Sequence, residues 1–433
     1  MAEDFKFIKE TRKEKPVNYR RILHRLCVTG ISAVVFGVIA SLVIVFCVPA
    51  LQARINKTTE SSQISFEEDD PKEPAESQNH EEVDPSKDAQ GTTQQTDPKP
   101  PVIIEQKQKL EIADYQKVQN KLYDVGKEAD KFVVSVTGVA SDTDIFNNTY
   151  ERKGIGSGII IAKTKKSLLV LTEKKIIQNA NAILVTFVDD STVTGELLQY
   201  DGNTGLAVVR VNLSDMNAQT WDRIEIAKLG SSLGVSQGTM VLAVGSPLGV
   251  NHSILTGTIT SNKNTITTAD KNYTVLITDM LGSSDGSGAL INTKGEVIGF
   301  VLQDYNLQKT QNTLTAVAIS QLKKVIELLS NNKPIPYLGL KTTMVTEQMS
   351  KELDMPTGIY VKEVELDSPA MYGGFQSGDV ITSMNGTEIK NAEQFENMVL
   401  DLNIDDVVNV TYQRQSDDVY IELANEIVVG VRK

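Results

Sequence analysis

Short apolar runs separated by glycine-rich turns fill the sequence between residues 132 and 303, and this pattern restricts the fold more than any other feature. The runs are rich in Val, Ile, Leu and Thr, most of which favour strands. Many short strands at this spacing predict a β-barrel or sandwich, so the main fold class is β. The predicted strands are 132–139, 158–162, 167–172, 182–187, 193–200, 206–211, 239–244, 254–262, 273–278, 289–292 and 297–303.

A second feature is the apolar run at residues 26–51, which holds no Asp, Glu, Lys, Arg or His. It is long enough for a helix that crosses a bilayer of roughly 30 Å. Residues 1–25 carry eight Lys/Arg against four Asp/Glu, a local net of +4, so a total of −13 leaves −17 for the rest. The positive-inside rule predicts a cytoplasmic tail at 1–25 and domains outside the membrane of a bacterial-type cell. A cleaved signal peptide is the alternative.

Residues 52–105 follow as a predicted disordered acidic linker. Between residues 56 and 101 there are twelve acidic and four basic residues and few large apolar ones. Such a composition cannot bury enough surface to fold. The chain's two cysteines lie at positions 27 and 47, so the part beyond the anchor has none for disulfides. The acidic net charge argues against nucleic acid as a partner.

Helical patterns enclose the strand region. Apolar residues recur at 3-4-3-4 spacing within 106–131, at Tyr115, Val118, Leu122, Val125 and Ala129. This predicts a helix that packs on the following domain, with a coiled-coil partner face as the alternative. A second helix is predicted at 320–330, before the Asn-Asn-Lys-Pro boundary.

A small-residue turn lies between the predicted strands 273–278 and 289–292, with Ser287 flanked by glycines. A turn of this kind lets backbone N–H groups converge beside a hydroxyl, which is the geometry of a nucleophilic serine with an oxyanion hole. Ser287 is therefore the candidate nucleophile, and Asp285 and Gly286 belong to the predicted oxyanion loop. Ser283 and Ser284 are weaker candidates.

Five blocks precede this turn in the order found in the HtrA (DegP) proteases: 156–160, 171–172, 229–232, 245–249 and 256–261. From about residue 106 to the C-terminus the chain resembles that family. The resemblance implies a trypsin-like double β-barrel over 106–332 and a PDZ domain over 333–433. The PDZ signature comprises Tyr-Leu-Gly-Leu at 337–340, Ser-Gly-Asp-Val-Ile at 377–381 and a helix at 391–402. It implies a nest for a peptide's C-terminal carboxylate at Tyr337, Leu338, Gly339 and Leu340, with the peptide strand added beside 341–344.

The resemblance also allows the catalytic positions to be checked. The family's histidine follows Leu-Thr by two residues, and Lys175 stands there. The family's aspartate precedes Leu-Ala-Val, and Gly205 stands there. The serine loop is one residue short between Asp279 and Leu290, lacks a proline, and carries Asp285, whose charge would oppose an oxyanion. Two of the three triad groups are therefore absent.

A replacement base is the remaining route to hydrolysis. His252 is the one histidine within the barrel region, in a turn that the resemblance does not place beside Ser287. Lys175 would act as a base if burial lowered its pKa, but Glu173 and Asp285 are expected nearby, which favours a paired and charged lysine.

These observations predict a membrane-anchored HtrA-like pseudoprotease that binds exported polypeptides or peptide termini through its barrel cleft and PDZ domain. An active serine endopeptidase using Ser287 with Lys175 is one alternative, and an envelope scaffold in which only the PDZ domain binds is another. The resemblance implies a homotrimer, or co-assembly with an active relative. No cofactor and no metal site are expected.

Overall fold

Two closed antiparallel barrels of six strands each form the body of the molecule. This computed structural model describes residues 63–69, 111–143, 149–305, 312–417 and 419–432. The first barrel has the strand order β1-β2-β3-β6-β5-β4 and the second β10-β11-β12-β9-β8-β7. Their strands are β1 Val133–Thr143, β2 Thr149–Lys163, β3 Ser167–Glu173, β4 Ala182–Thr186, β5 Thr192–Tyr200, β6 Leu206–Asn212, β7 Met240–Ser246, β8 Ser253–Thr268, β9 Lys271–Leu281, β10 Ser287–Ile291, β11 Val297–Leu302 and β12 Thr313–Ala318.

Complete burial of whole strands holds each barrel together. Every residue of β3 is buried, and so is every residue of β10 and β11. Burying one large aliphatic side chain contributes about 1.5–3 kcal/mol relative to leaving it exposed. A strand buried on both faces has a continuous apolar run rather than an alternating one, as at residues 168–171. The prediction of a mainly β double barrel is confirmed, although the sequence pattern missed β12.

Helices cover the barrels at a few places. They are α1 Ile112–Ala129, α2 Lys174–Ile177, α3 Ala218–Trp221 and α4 Ile319–Ser330. The apolar face predicted for α1 packs only in its C-terminal half, where Leu122 and Ala129 are buried. Tyr115 and Val118 of the same face are exposed. The close approach is made at Gly126, where an added Cβ would lie 2.5 Å from a methyl carbon of Ile254.

Residues 336–431 form the third domain, whose main sheet has the order β14-β15-β16-β18-β19, with β17 paired to β16. A short pair, β13 with β20, lies beside it. Among the described strands, β14 pairs only with β15, so its other edge has no strand partner there. The elements are β13 Pro336–Tyr337, β14 Leu340–Val345, α5 Glu347–Leu353, β15 Gly358–Val364, α6 Pro369–Tyr372, β16 Val380–Met384, β17 Thr387–Glu388, α7 Ala392–Leu400, β18 Val407–Ser416, β19 Val419–Val428 and β20 Gly430–Val431.

The chain divides into two units, residues 1–63 and 64–433, and the described elements lie in the second. The predicted membrane anchor at 26–51 falls outside the described residues. Among the residues that are described, no helix is both long and apolar enough to cross a membrane.

A short part of the predicted disordered linker, residues 64–69, departs from that prediction because it packs against helix α4. Ile64 exchanges two hydrogen bonds with the Asn331 side chain, at 2.9 and 2.7 Å. Lys323 donates to the Glu67 carbonyl oxygen at 2.9 Å and pairs with Asp69 at 2.5 Å. Ile64 and Phe66 also pack on the barrel core. The apolar residues at positions 64 and 66, which the low average hydropathy of the linker conceals, explain the contact.

We expect Lys323→Ala to release this segment, because the variant removes the cation that both Glu67 and Asp69 contact. Charge-assisted hydrogen bonds of this kind contribute about 1.5–3 kcal/mol each, so amide hydrogen exchange across 64–69 should rise at least 10-fold. Lys333→Ala, which changes an exposed lysine beyond the end of α4, is the matched control. Unchanged protection of the Ile64 amide in Lys323→Ala would contradict the assigned role of Lys323.

Candidate functional site

The hydroxyl of Ser287, the candidate nucleophile, points into the seam between the barrels. Ser287 opens β10 and is paired with Ser246 of β7. Its Oγ accepts a hydrogen bond from the Ser157 N–H at 2.7 Å and lies 2.8 Å from Ser246 Oγ. Only 1% of the residue is exposed. The hydroxyl therefore joins β2, β7 and β10 and is not presented to a substrate.

The predicted oxyanion loop is closed on itself. The Gly286 N–H donates to the Ser283 carbonyl oxygen at 2.9 Å, and the Asp285 N–H faces Ser283 Oγ at 3.3 Å. These donors are thus used within the turn. A side chain at position 286 does not fit either, since an added Cβ would lie 2.5 Å from the carbonyl oxygen of Pro247. Moving the serine from position 287 to position 286 would therefore not restore a nucleophile to this loop.

Lys175, which the sequence predicts at the position of the family's histidine, is held between two carboxylates. Its Nζ lies 2.8 Å from Glu173 Oε2 and 3.4 Å from Asp304 Oδ2. Burial by itself would lower the pKa of Lys175, but the attraction of Glu173 and Asp304 outweighs it and raises the pKa above its ordinary value. Lys175 is accordingly a charged ion-pair partner at neutral pH.

Glu173 has the most perturbed carboxyl of this cluster. The side chain is 2% exposed, and its Oε1 has no hydrogen-bond partner. The pKa of Glu173 is raised from 4.5 to about 7, mainly by burial. The attraction of Lys175 opposes this rise, and the charges of Asp304 and Asp285 add to it. The sequence predicted Glu173 near Lys175. It did not indicate Asp304, which lies 129 residues from Lys175 along the chain.

Gly205, which the sequence predicts at the position of the family's aspartate, carries no carboxylate. It has a left-handed φ of 74°, and its carbonyl oxygen accepts from the Lys174 N–H at 2.7 Å. The nearby Asp201 cannot serve in its place, because its carboxylate accepts from the backbone and hydroxyl of Thr204 at 3.1 and 2.7 Å. His252 is also engaged elsewhere, with Asp130 at 2.9 Å.

The predicted carboxylate nest of the third domain contains a carboxylate of this chain. The backbone N–H groups of Leu338, Gly339 and Leu340 donate to the Asp270 carboxylate at 2.8–3.0 Å. Gly339 has a φ of 91°, and an added Cβ there would lie 2.3 Å from Ser368 Cβ, so only glycine fits. Tyr337, the first residue of the predicted nest, instead donates its hydroxyl to Glu365 at 2.8 Å.

Asp270 lies in the turn between β8 and β9 of the second barrel. Burial raises the pKa of Asp270 to about 6, although the backbone hydrogen bonds of the nest oppose this. The start of β9 is bound as well, since Glu396 of α7 accepts from the Asn272 N–H at 2.9 Å and from its side-chain amide at 3.0 Å. No sequence pattern indicates this contact, because a polar Asp-Lys-Asn segment at 270–272 looks like any solvated hairpin.

The described residues include no group of three or more His, Cys, Asp or Glu side chains placed to hold a metal ion.

Replacing Glu173 tests the buried ion pair through its pH dependence. A carboxyl whose pKa is higher in the folded than in the unfolded protein contributes stability that is complete below pH 4.5 and is lost as the pH rises through 7. The pKa difference corresponds to about 3 kcal/mol. Glu173→Gln should therefore flatten the fall in the free energy of unfolding between pH 4.5 and 7, measured by urea denaturation. Glu196→Gln, which changes an exposed carboxylate, should keep the wild-type slope; equal slopes in all three proteins would contradict the burial effect.

Two family models match the chain, one in the barrel region and one in the third domain. A trypsin-like peptidase domain matches residues 156–300, and a PDZ domain matches residues 336–424. The serine protease Do-like HtrA of Lactobacillus helveticus is 26% identical over 315 residues, covering 69% of this chain and 75% of that protein. Its namesake in Bacillus subtilis is 24% identical over 327 residues, covering 69% and 71%.

Solved structures share the architecture. The HtrA-type protease AlgW with a decapeptide is 20% identical, with a TM-score of 0.52 over 72% of this chain and 99% of that one. The same protease with a tripeptide is 21% identical, with a TM-score of 0.51 over 72% and 97%. Such low identity shows the fold alone. Because the two domain matches, the relatives and the two-barrel architecture agree, the chain belongs to the HtrA-like family of trypsin-fold proteins with a C-terminal PDZ domain.

Proposed function

We propose that this protein is a membrane-tethered pseudoprotease that binds exported polypeptides or their C-termini. The observation that carries the proposal is the position of the Ser287 hydroxyl, which is buried and hydrogen-bonded between the barrels. Nucleophilic catalysis needs a serine within reach of both a base and the substrate. Ser287 Oγ is bound to Ser157 and Ser246, while Lys175 Nζ is bound to Glu173 and Asp304.

The missing triad groups support the same proposal. Removing triad members costs about four to six powers of ten in rate, and the effects do not add. A lysine whose pKa is raised cannot take the proton of a serine at neutral pH. Any remaining hydrolysis would be too slow to serve as the function of the protein.

Peptide binding does not need the catalytic groups. The two barrels are closed, and β14 has an edge with no partner among the strands that the structure describes. A peptide can add to such an edge through main-chain hydrogen bonds and place its terminal carboxylate in the adjoining nest. The proposed clients are exported or unfolded chains, and co-assembly with an active relative would bring the bound client to a protease. The apolar run at 26–51 would hold the protein in the cell membrane with residues 1–25 in the cytoplasm.

The test is fluorophosphonate labelling of the full chain together with cleavage of unfolded casein. We expect neither reaction, and Ser287→Ala should behave as the wild type does in both assays. That variant should lose about 1–3 kcal/mol of stability, because the Ser157 N–H loses its acceptor. The double variant Lys175→His/Gly205→Asp should stay unlabelled as well, since it leaves Ser287 buried.

The names of the relatives favour one alternative, an active serine endopeptidase. Labelling and casein cleavage by the wild type, both lost in Ser287→Ala, would establish that alternative and reject the pseudoprotease proposal. The Bacillus subtilis relative, run in parallel, shows whether the probe and the casein substrate are competent.

A further inference from the structure

The turn between β8 and β9 contacts the PDZ domain as a peptide terminus would. Three consecutive backbone N–H groups of the nest donate to the Asp270 carboxylate. The Asp270 N–H in turn donates to the Leu340 carbonyl oxygen at 2.7 Å. A captured peptide combines these two elements, a carboxylate in a backbone nest and main-chain pairing with the adjacent strand. Asp270 supplies both from inside the chain.

A second contact holds the turn beside the nest. Glu396 of α7 is 5% exposed and accepts two hydrogen bonds from Asn272, while Lys271 Nζ lies 4.0 Å from its other oxygen. Asn272, two residues after Asp270, is therefore tied to a different element of the PDZ domain. The turn cannot leave the nest without also disturbing this contact.

We propose that Asp270 is a built-in competitor for the PDZ nest, so that a polypeptide with a free C-terminal carboxylate binds only when the β8–β9 turn withdraws. This inference rests on the proposed peptide-binding function and assigns its regulation. The two carboxylates need the same three N–H donors, so one nest cannot hold both. Peptide binding and separation of the turn from the PDZ domain are thus one equilibrium.

The contact has a physical reason to be reversible. Hydrogen bonds to an ionised carboxylate are about twice as strong as neutral ones, which favours the closed arrangement. Against this, Asp270 is 6% exposed, and its burial raises the pKa to about 6. The ionised side chain therefore gives up hydration that it would regain on withdrawal. A peptide that places its carboxylate in the nest and also buries apolar side chains gains hydrophobic free energy. Asp270, a single short residue, does not.

The deciding experiment compares the full-length wild type with Asp270→Asn. The amide keeps the size of the side chain and tolerates the left-handed φ of 63°, but its NH₂ group faces the N–H donors of the nest. The probe is a peptide array with free C-terminal carboxylates, beside the same peptides as C-terminal amides. If the nest is open in 1–10% of molecules, Asp270→Asn should bind the carboxylate array about 10- to 100-fold more tightly than the wild type.

Asp190→Asn is the matched control. Asp190 is also an aspartate with a left-handed φ, 61°, but it lies exposed in the turn between β4 and β5. It should bind the array as the wild type does. Competition by Asp270 is supported if Asp270→Asn binds the carboxylate peptides more tightly than the wild type does, while its binding of the amide peptides is unchanged. Asp190→Asn should show no such gain in affinity.

Other outcomes separate the inference from the function beneath it. Equal, carboxylate-dependent binding by wild type and Asp270→Asn would overturn the competitor and leave peptide binding intact. No carboxylate-dependent binding by either protein, with both folded by circular dichroism, would overturn peptide binding at this nest and the inference with it.

Asn272→Ala provides a second variant if Asp270→Asn does not fold. It removes the side-chain hydrogen bond to Glu396 and keeps the backbone one, without touching the nest, so a smaller gain in carboxylate-dependent binding is expected. Hydrogen exchange of the wild type gives an independent reading. Saturating amounts of a peptide selected on the array should speed exchange of the Asp270 amide and keep residues 338–340 protected. No gain in Asn272→Ala and an unchanged Asp270 amide would contradict the competition.

Discussion

The hydrogen bond from the Ser157 N–H to Ser287 Oγ fixes how the two barrels meet, and the state of the catalytic centre follows from it. A buried backbone donor left without a partner costs about 1–3 kcal/mol. At this seam the partner is the very hydroxyl that resembles a nucleophile. Ser246 completes the set through contacts with Ser157 and Ser287. A hydroxyl that holds the seam together is not free to turn toward a substrate, and this supports the proposed pseudoprotease.

Two buried carboxylates lose hydration in the fold, and both have a raised pKa, but they differ in what binds them. Glu173 has one oxygen on Lys175 and the other without a partner, and its pKa rises to about 7. Asp270 has both oxygens satisfied by backbone N–H groups and still rises to about 6. Hydrogen bonding offsets part of the desolvation but does not remove it. Glu173 is bound within its own barrel, whereas Asp270 bridges two domains, so only Asp270 can exchange its partner for a ligand.

The sequence predicted the fold better than the site. Eleven of the barrel strands have the periodicity or the continuous apolar character that burial produces, but β12 at 313–318 resembles the start of the following helix and was missed. Spacing assigned Lys175 and Gly205 to the family's histidine and aspartate positions, since such motifs are local. It could not find Asp304 beside Lys175 or Asp270 in the nest, because both contacts join residues far apart in the chain. Ser287 shows a further limit: a flanking glycine pattern does not say on which side of a strand the hydroxyl lies.

A continuous set of contacts runs from the PDZ nest to Lys175. The carbonyl oxygen of Ala269, next to Asp270, accepts from the Asn203 side chain at 3.0 Å, and the Asn203 carbonyl oxygen accepts from Tyr305 at 2.5 Å. Tyr305 follows Asp304, which pairs with Lys175. Proximity alone does not transmit a signal; an element with two states must lie on the path. The turn that carries Asp270 is such an element, because its carboxylate is either in the nest or replaced there by a ligand.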